Sequence, residues 1–139
     1  MLIAGLRANF EFDLKKVIAL STLSQLGLII RTVGAGLPGV AFFHLLSHAL
    51  FKALLFMCAG LVIHRVGDTQ DIRAMGGVLM AIPAVSCLMT VANLALCGAP
   101  FLTGFYSKDL ILELFITGSA RPLLFAVYAL ATGLTVSYT

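Results

Sequence analysis

The sequence predicts an all-α protein, a polytopic transmembrane helical bundle with one discontinuous helix. Three observations carry that prediction. Of the residues, 60% are hydrophobic and only 11% charged, whereas a soluble domain is roughly 45–50% apolar and about 25% charged. Apolar runs alternate with short polar punctuation, and about 20 helical residues suffice to cross ~30 Å of hydrocarbon. One of those runs carries Gly98, Pro100 and Gly104 close together. The formal charge of +3 is scattered, with no basic run beyond Lys15-Lys16, so nucleic acid is not an expected partner.

The elements follow in order. "MLIAGLRANFEFDLKK" is short and gains acidic residues instead of a cleavage site, so it reads as the tail of an earlier span and not as a signal peptide. A first span is expected over 16–34. "GAGLPG" (34–39) makes a tight turn, and a second span covers 38–63. "HRVGDTQDIRAMGG" (64–77) is the hydrated loop; its Asp68, Asp71 and Arg73 are most simply a solvated turn, and Gly76-Gly77 launches the next helix. A last span is expected over 122–139, still running where the sequence stops.

The third apolar stretch needs more argument. From Val78 to Ser107 there is no charge over 30 residues, roughly 45 Å of ideal helix and more than one bilayer requires. Proline removes a helix hydrogen bond and clashes with the preceding turn. A break at membrane depth is tolerated only where it packs in protein or faces water. One reading is a broken helix, 79–97 and then 103–117. The other is a complete span to about Ala99 followed by an interfacial turn, and spacing alone does not separate them.

If each stretch crosses once, Lys15, Lys16, His64, Arg65 and Arg73 share one side, which positive-inside reasoning makes cytoplasmic or, in a mitochondrion, the matrix. Arg121 stands alone on the other side, and Arg31 can snorkel from the far end of the first span. Cys58, Cys87 and Cys97 show no C-x-x-C or Cys/His spacing and read as buried small hydrophobes. No phosphate loop, nucleophile elbow or zinc pattern occurs, so no catalytic, cofactor-binding or metal-ligating residue is assigned.

The informative polar residues lie inside the spans. In "FFHLLSHALFKALLFMCAG" (42–60), His44, His48 and Lys52 recur every four residues. At 100° per residue they fall within an arc of about 80° and rise about 12 Å. Lys52 is too deep to snorkel easily, and a charge there costs at least ~2.5–3.5 kcal/mol. A partner or a function must offset that cost. A lysine poised between burial and neighbouring charge can gain and lose a proton as its surroundings change, and histidine titrates closest to physiological pH. The set therefore reads as a proton relay, although a lone buried histidine is ordinarily just hydrogen-bonded to a neighbouring helix. A metal site is disfavoured because Lys52 would repel the cation. In "GFYSKDLILELF" (104–115), Lys108 lies near the start of the second half-helix. Asp109 is either its partner or on another face; Asp109 and Glu113 share a face toward the aqueous exit, and the alternative for Glu113 and for Lys108 is an interfacial anchor at a helix end. Ser21, Thr22, Ser24 and Gln25 give the first span a polar stripe, either interhelical glue or the wall of a wet channel.

"FEFDLKKVIALSTLSQLGLII", "FFHLLSHALFKALLFMCAGLVIH", "QDIRAMGG" and "LCGAPFLTGFYSKDLILE" resemble the antiporter-like membrane subunits of mitochondrial respiratory complex I, in wording closest to animal versions. More broadly they resemble the sodium/proton antiporter subunits of that superfamily. The resemblance covers essentially the whole chain, with the motifs in family order. A paralogous subunit of similar plan has glutamate at the Lys108 position and lacks the H-x-x-x-K of the second span. The resemblance implies an antiporter-like fold with the third stretch broken at mid-membrane at Gly98, Pro100 and Gly104. It implies a proton pathway through Lys52, Lys108, His48 and His44, to which the reading of the residues adds Asp109. The implied activity is proton translocation across the mitochondrial inner membrane by a multi-pass subunit of an H⁺-translocating NADH:ubiquinone reductase. NADH, FMN, iron–sulfur clusters and ubiquinone are then expected in partner subunits and no cofactor in this chain. The implied partners are other membrane-arm subunits, above all the neighbouring antiporter-like one, and the bilayer. The sequence covers about a quarter of a family chain, so it is expected to be part of a longer protein; Arg31 also departs from the family, which is usually apolar there. Two other functions fit the residues: a cation/proton antiporter subunit without a redox partner, and a structural membrane scaffold.

Overall fold

The computed structural model describes residues 1–117 and 122–139, with side chains for all of these except 114–117 and 122–124. Arg121, expected alone on its side of the membrane, lies outside the described residues. Among the described residues seven α-helices follow one another: α1 (Leu2–Phe10), α2 (Leu14–Gly34), α3 (Pro38–Arg65), α4 (Val78–Ala81), α5 (Pro83–Cys97), α6 (Thr103–Thr117) and α7 (Pro122–Tyr138), with one 3₁₀ turn at Ile72–Ala74. Among the described residues there is no β-strand, only an isolated antiparallel bridge between Asp13 and Asp71.

The helices α2 and α3 are long and apolar enough to cross a bilayer. A three-residue turn joins them as an antiparallel hairpin. Gly36 takes φ +83° there, a conformation costly for any residue with a Cβ. Leu37 N–H closes on the Thr32 carbonyl at 3.2 Å, and Pro38, which has no N–H to lose, opens α3. The 15-residue helices α5 and α6 are each only about 22 Å long, too short to span alone.

The expected continuous helix over 79–97 is corrected. Pro83 crowds the residue before it, Ile82 sits at φ −143°, ψ 74°, and a separate turn, α4, precedes a helix that starts at Pro83. At the other end, α5 stops because Gly98 adopts the left-handed conformation (φ +85°) and its N–H caps the Leu94 and Ala95 carbonyls. Phe101 also takes a positive φ, +70°, which costs a residue with a Cβ about 1–2 kcal/mol. Gly104, assigned above to the break, instead lies in the first turn of α6.

The helix α3 is the hub, packed against α2, α5 and α6, while α1 bridges α2 and α7. Its core is made with Ile18, Phe51, Leu55, Ala59, Ala92, Ala95 and Leu96, and a second cluster joins Leu28, Ile111 and Tyr128. Lipid tails are as apolar as leucine, so helices in a membrane associate through close packing, which small residues permit. Ala59, Ala92 and Ala95 supply that proximity. The outer face of α3 exposes Phe42, Leu46, Leu50, Met57 and Leu61, so the helix turns its polar residues inward and its apolar ones out. The three cysteines are free, and only Cys58 is buried; Cys87 is exposed on α5, a correction to its reading as a buried hydrophobe.

Candidate functional site

Four-residue spacing on α3 brings His44, His48 and Lys52 to one buried face, at 0%, 3% and 4% exposure. The partners come from the helices on either side. Because α2 and α3 are antiparallel, residues ascending α2 meet residues descending α3. Lys52 Nζ donates to Ser21 Oγ, and Ser21 donates in turn to the Ile18 carbonyl at 2.8 Å. Farther along, His44 Nε2 lies 3.3 Å from Gln25 Oε1, and Gln25 Nε2 donates to Thr135 Oγ1 of α7 at 3.2 Å. On its other side His44 Nδ1 meets Ser107 Oγ of α6 at 2.8 Å. His48 lies between, its ring 6.2 Å from that of His44 and edge-on to Phe51 at 5.3 Å. Its Nε2 has no hydrogen-bond partner among the described residues.

Lys108 follows Ser107 on α6 and is also buried. Its ammonium reaches back across the break and donates to the Leu96 carbonyl, in the last turn of α5. Carbonyls there lack intrahelical partners, and the helix dipole places partial negative charge on them. The break therefore creates the acceptor that holds this cation. Two glycines permit the approach. A Cβ on Gly98 would stand 3.3 Å from Lys108 Cδ, and one on Gly104 would stand 1.8 Å from the Ala95 carbonyl oxygen. Tyr128 of α7 supports the same turn from outside, donating to the Lys108 carbonyl at 2.9 Å.

Neither buried lysine has a carboxylate within 4.0 Å among the described residues; ion pairs form at Lys16–Asp13, His64–Asp68 and Arg73–Asp71. Asp109 is exposed and does not pair with Lys108. It lines, with Lys108, Phe105, Tyr128 and Thr132, a cavity of about 390 Å³, so the lysine and the carboxylate border the same space from different faces. A second cavity, about 250 Å³, runs from Lys52 and Ser21 to Leu14 and Ile72, at the end of the bundle that carries Lys15, Lys16 and Arg73.

That end is closed by a clasp. Leu14 N–H donates to the Gln70 carbonyl and Ile72 N–H to the Phe12 carbonyl, and the Arg73 guanidinium lies 4.2 Å over the Phe12 ring. Asp71 accepts from Arg73 Nε, Nη2 and the backbone N–H. Those bonds hold its carboxyl below the usual carboxylate range.

The structure thus brings His44, His48 and Lys52 together and links His44 directly to the residue before Lys108. Asp109 stands apart on the exposed face. Ser107, and the partner roles of Ser21 and Gln25, were not evident from the sequence. Their signal was available, since polar residues four apart on α2 face polar residues on α3 once the hairpin register is set. The polar side chains meet in two hydrogen-bonded groups, Lys52–Ser21 and Thr135–Gln25–His44–Ser107, and imidazole and ammonium groups can take up and release protons.

The family model described as NADH:quinone oxidoreductase/Mrp antiporter, TM matches residues 1–135. Over 139 residues the chain is 59% identical to NADH-ubiquinone oxidoreductase chain 5 of Anopheles gambiae, covering 100% of this chain and 24% of that protein. It is 66% identical over 114 residues to the protein of the same name from Anopheles arabiensis, covering 82% of this chain and 30% of that one. The protein of that name from Ceratotherium simum is 49% identical over 138 residues, 99% of this chain and 23% of the relative. The chain therefore spans about a quarter to a third of the length of these relatives.

Proposed function

The chain belongs to the NADH:quinone oxidoreductase/Mrp antiporter transmembrane family, and we propose from that premise that it forms part of a proton-translocating subunit in the membrane arm of respiratory complex I. The proposed setting is the mitochondrial inner membrane, with the clasp end toward the matrix. NADH, FMN, iron–sulfur clusters and ubiquinone would then bind partner subunits, and this chain would act only on protons. The neighbouring antiporter-like subunit is its proposed partner.

One observation carries the reading: three ionisable side chains buried on one face of α3, joined to α6 by the His44–Ser107 hydrogen bond. Buried cations are expensive in a bilayer and mark proton or ion pathways. In the proposed path Lys108 exchanges protons with water in the cavity at the helix break, beside Asp109. Lys52 passes them along the midplane, assisted by His48 and His44. The relatives' name, which specifies an NADH–ubiquinone reaction, favours this over an antiporter without a redox partner. The experiment is Lys52→Ala and Lys108→Ala in the complete protein within the assembled complex. Protons moved per NADH should fall in both while flavin and iron–sulfur centres stay loaded. A normal ratio in both sinks the proposal, and loss of assembly with normal pumping in whatever assembles would favour a scaffold instead.

A further inference from the structure

Ser107 holds a single hydroxyl proton between two acceptors. Its Oγ lies 2.8 Å from His44 Nδ1 and 3.3 Å from the Gly104 carbonyl, and the residue is fully buried. Which acceptor receives the proton follows from the other side of the imidazole. Thr135 Oγ1 donates to the Ala131 carbonyl at 2.8 Å, so it can only accept from Gln25. The Gln25 amide nitrogen must then face Thr135, and its carbonyl oxygen must face His44. The reverse orientation would take the one Thr135 proton away from the Ala131 carbonyl. An acceptor opposite Nε2 places a proton on Nε2, and a neutral imidazole then has its lone pair on Nδ1. Ser107 must donate to it.

When His44 takes up a proton, both ring nitrogens become donors. Nε2 keeps Gln25 without change. At Nδ1 the polarity reverses: Ser107 becomes the acceptor, and its own proton turns to the Gly104 carbonyl in the first turn of α6. We infer that Ser107 is a positioning residue, a one-proton hydroxyl switch that satisfies His44 in both charge states and turns with each change. The added proton then rests on Nδ1, with Nε2 held by the Gln25–Thr135 chain. The switch also ties the charge on α3 to the turn of α6 that presents Lys108. A backbone carbonyl cannot take the proton onward, so the hydroxyl serves His44 and does not itself conduct into α6. The inference rests on the proton path proposed above, to which the proton on His44 belongs.

The test uses the complete protein in the assembled complex, with Ser107→Ala, Ser107→Thr and Ser107→Cys beside Lys108→Ala. Proton pumping per NADH and uncoupled NADH oxidation are measured in each. Ser107→Ala leaves the neutral Nδ1 buried without a donor, and the net value of one hydrogen bond predicts a fall in pumping of roughly three- to tenfold with uncoupled oxidation retained. Ser107→Thr keeps the hydroxyl and should recover at least half of the pumping, whereas Ser107→Cys, with a weak S–H donor, should not. Infrared difference spectra of isotope-labelled histidine should give the neutral Nε2–H tautomer for His44 in the parent and lose that single tautomer in Ser107→Ala. If Ser107→Ala fails to assemble, Ser107→Cys carries the comparison, and full pumping there overturns the inference. So does a Thr variant as impaired as Ala. Normal pumping in Ser107→Ala with pumping lost in Lys108→Ala overturns the switch alone, while normal pumping in Lys108→Ala overturns the path beneath it.

Discussion

Gly104→Ala is the most exacting test of the helix break. The added Cβ would stand 1.8 Å from the Ala95 carbonyl oxygen and 2.9 Å from its carbon, and real Cβ atoms essentially never approach closer than 3.0 Å. The clashing group is backbone, so α5 and α6 must part by at least ~1.2 Å at their crossing. Overpacking of this kind costs about 1–3 kcal/mol. The same displacement stretches the Lys108–Leu96 hydrogen bond, and bonds to charged groups are worth about 1.5–3 kcal/mol. Together the losses are roughly 2.5–6 kcal/mol, concentrated at Lys108 although Lys108 itself is unchanged. The control is Gly39→Ala, whose Cβ meets nothing within 4 Å. In the complete protein, Gly104→Ala should reduce the amount of assembled complex in membranes, and what assembles should pump poorly. Gly39→Ala should match the parent in both. If Gly104→Ala assembles and pumps as Gly39→Ala does, the close crossing of α5 and α6 is not what positions Lys108.

Two further outcomes are expected. In Tyr128→Phe the hydrogen bond to the Lys108 carbonyl is lost, about 1 kcal/mol net, and amide hydrogen exchange through α6 should rise about fivefold. At the clasp, Asp71 has a lowered folded-state pKa because Arg73 bonds it through side chain and backbone; its contribution is therefore present above the ordinary carboxylate range and lost as pH falls through that lowered value. Exchange protection of the Leu14 and Ile72 amides should accordingly persist at neutral pH and drop only in acid. Asp71→Ala should weaken the protection at neutral pH and remove that acid step.

The residues that could be placed from sequence were those whose meaning is local. Spacing of four along one helix puts His44, His48 and Lys52 on one face whatever surrounds them, and Gly98 with Pro100 announces a stop in any context. Pro83 carries the same kind of signal, but a long charge-free run conceals it, although proline cannot continue a helix backward. Gly104 reads from sequence as part of the helix break, whereas its role is proximity, which depends on where Ala95 lies in space. Ser107, Gln25 and Ser21 acquire their roles from contacts between helices, and composition does not encode the register that makes those contacts. The loop at 64–77 reads as solvated by charge alone; its pairing with Phe12 and Leu14 is a backbone contact that side-chain chemistry does not announce.

In the proposed function the buried stripe on α3 moves protons and does more than hold helices together. Lys52→Gln separates those roles, because glutamine can still donate to Ser21 but cannot carry the charge. The measurement is the number of protons translocated per NADH oxidised by the intact complex in sealed liposomes. The Lys52→Gln complex should assemble with its redox centres loaded, oxidise NADH when uncoupled, and show a clearly lowered ratio. An unchanged ratio would contradict the proposed function.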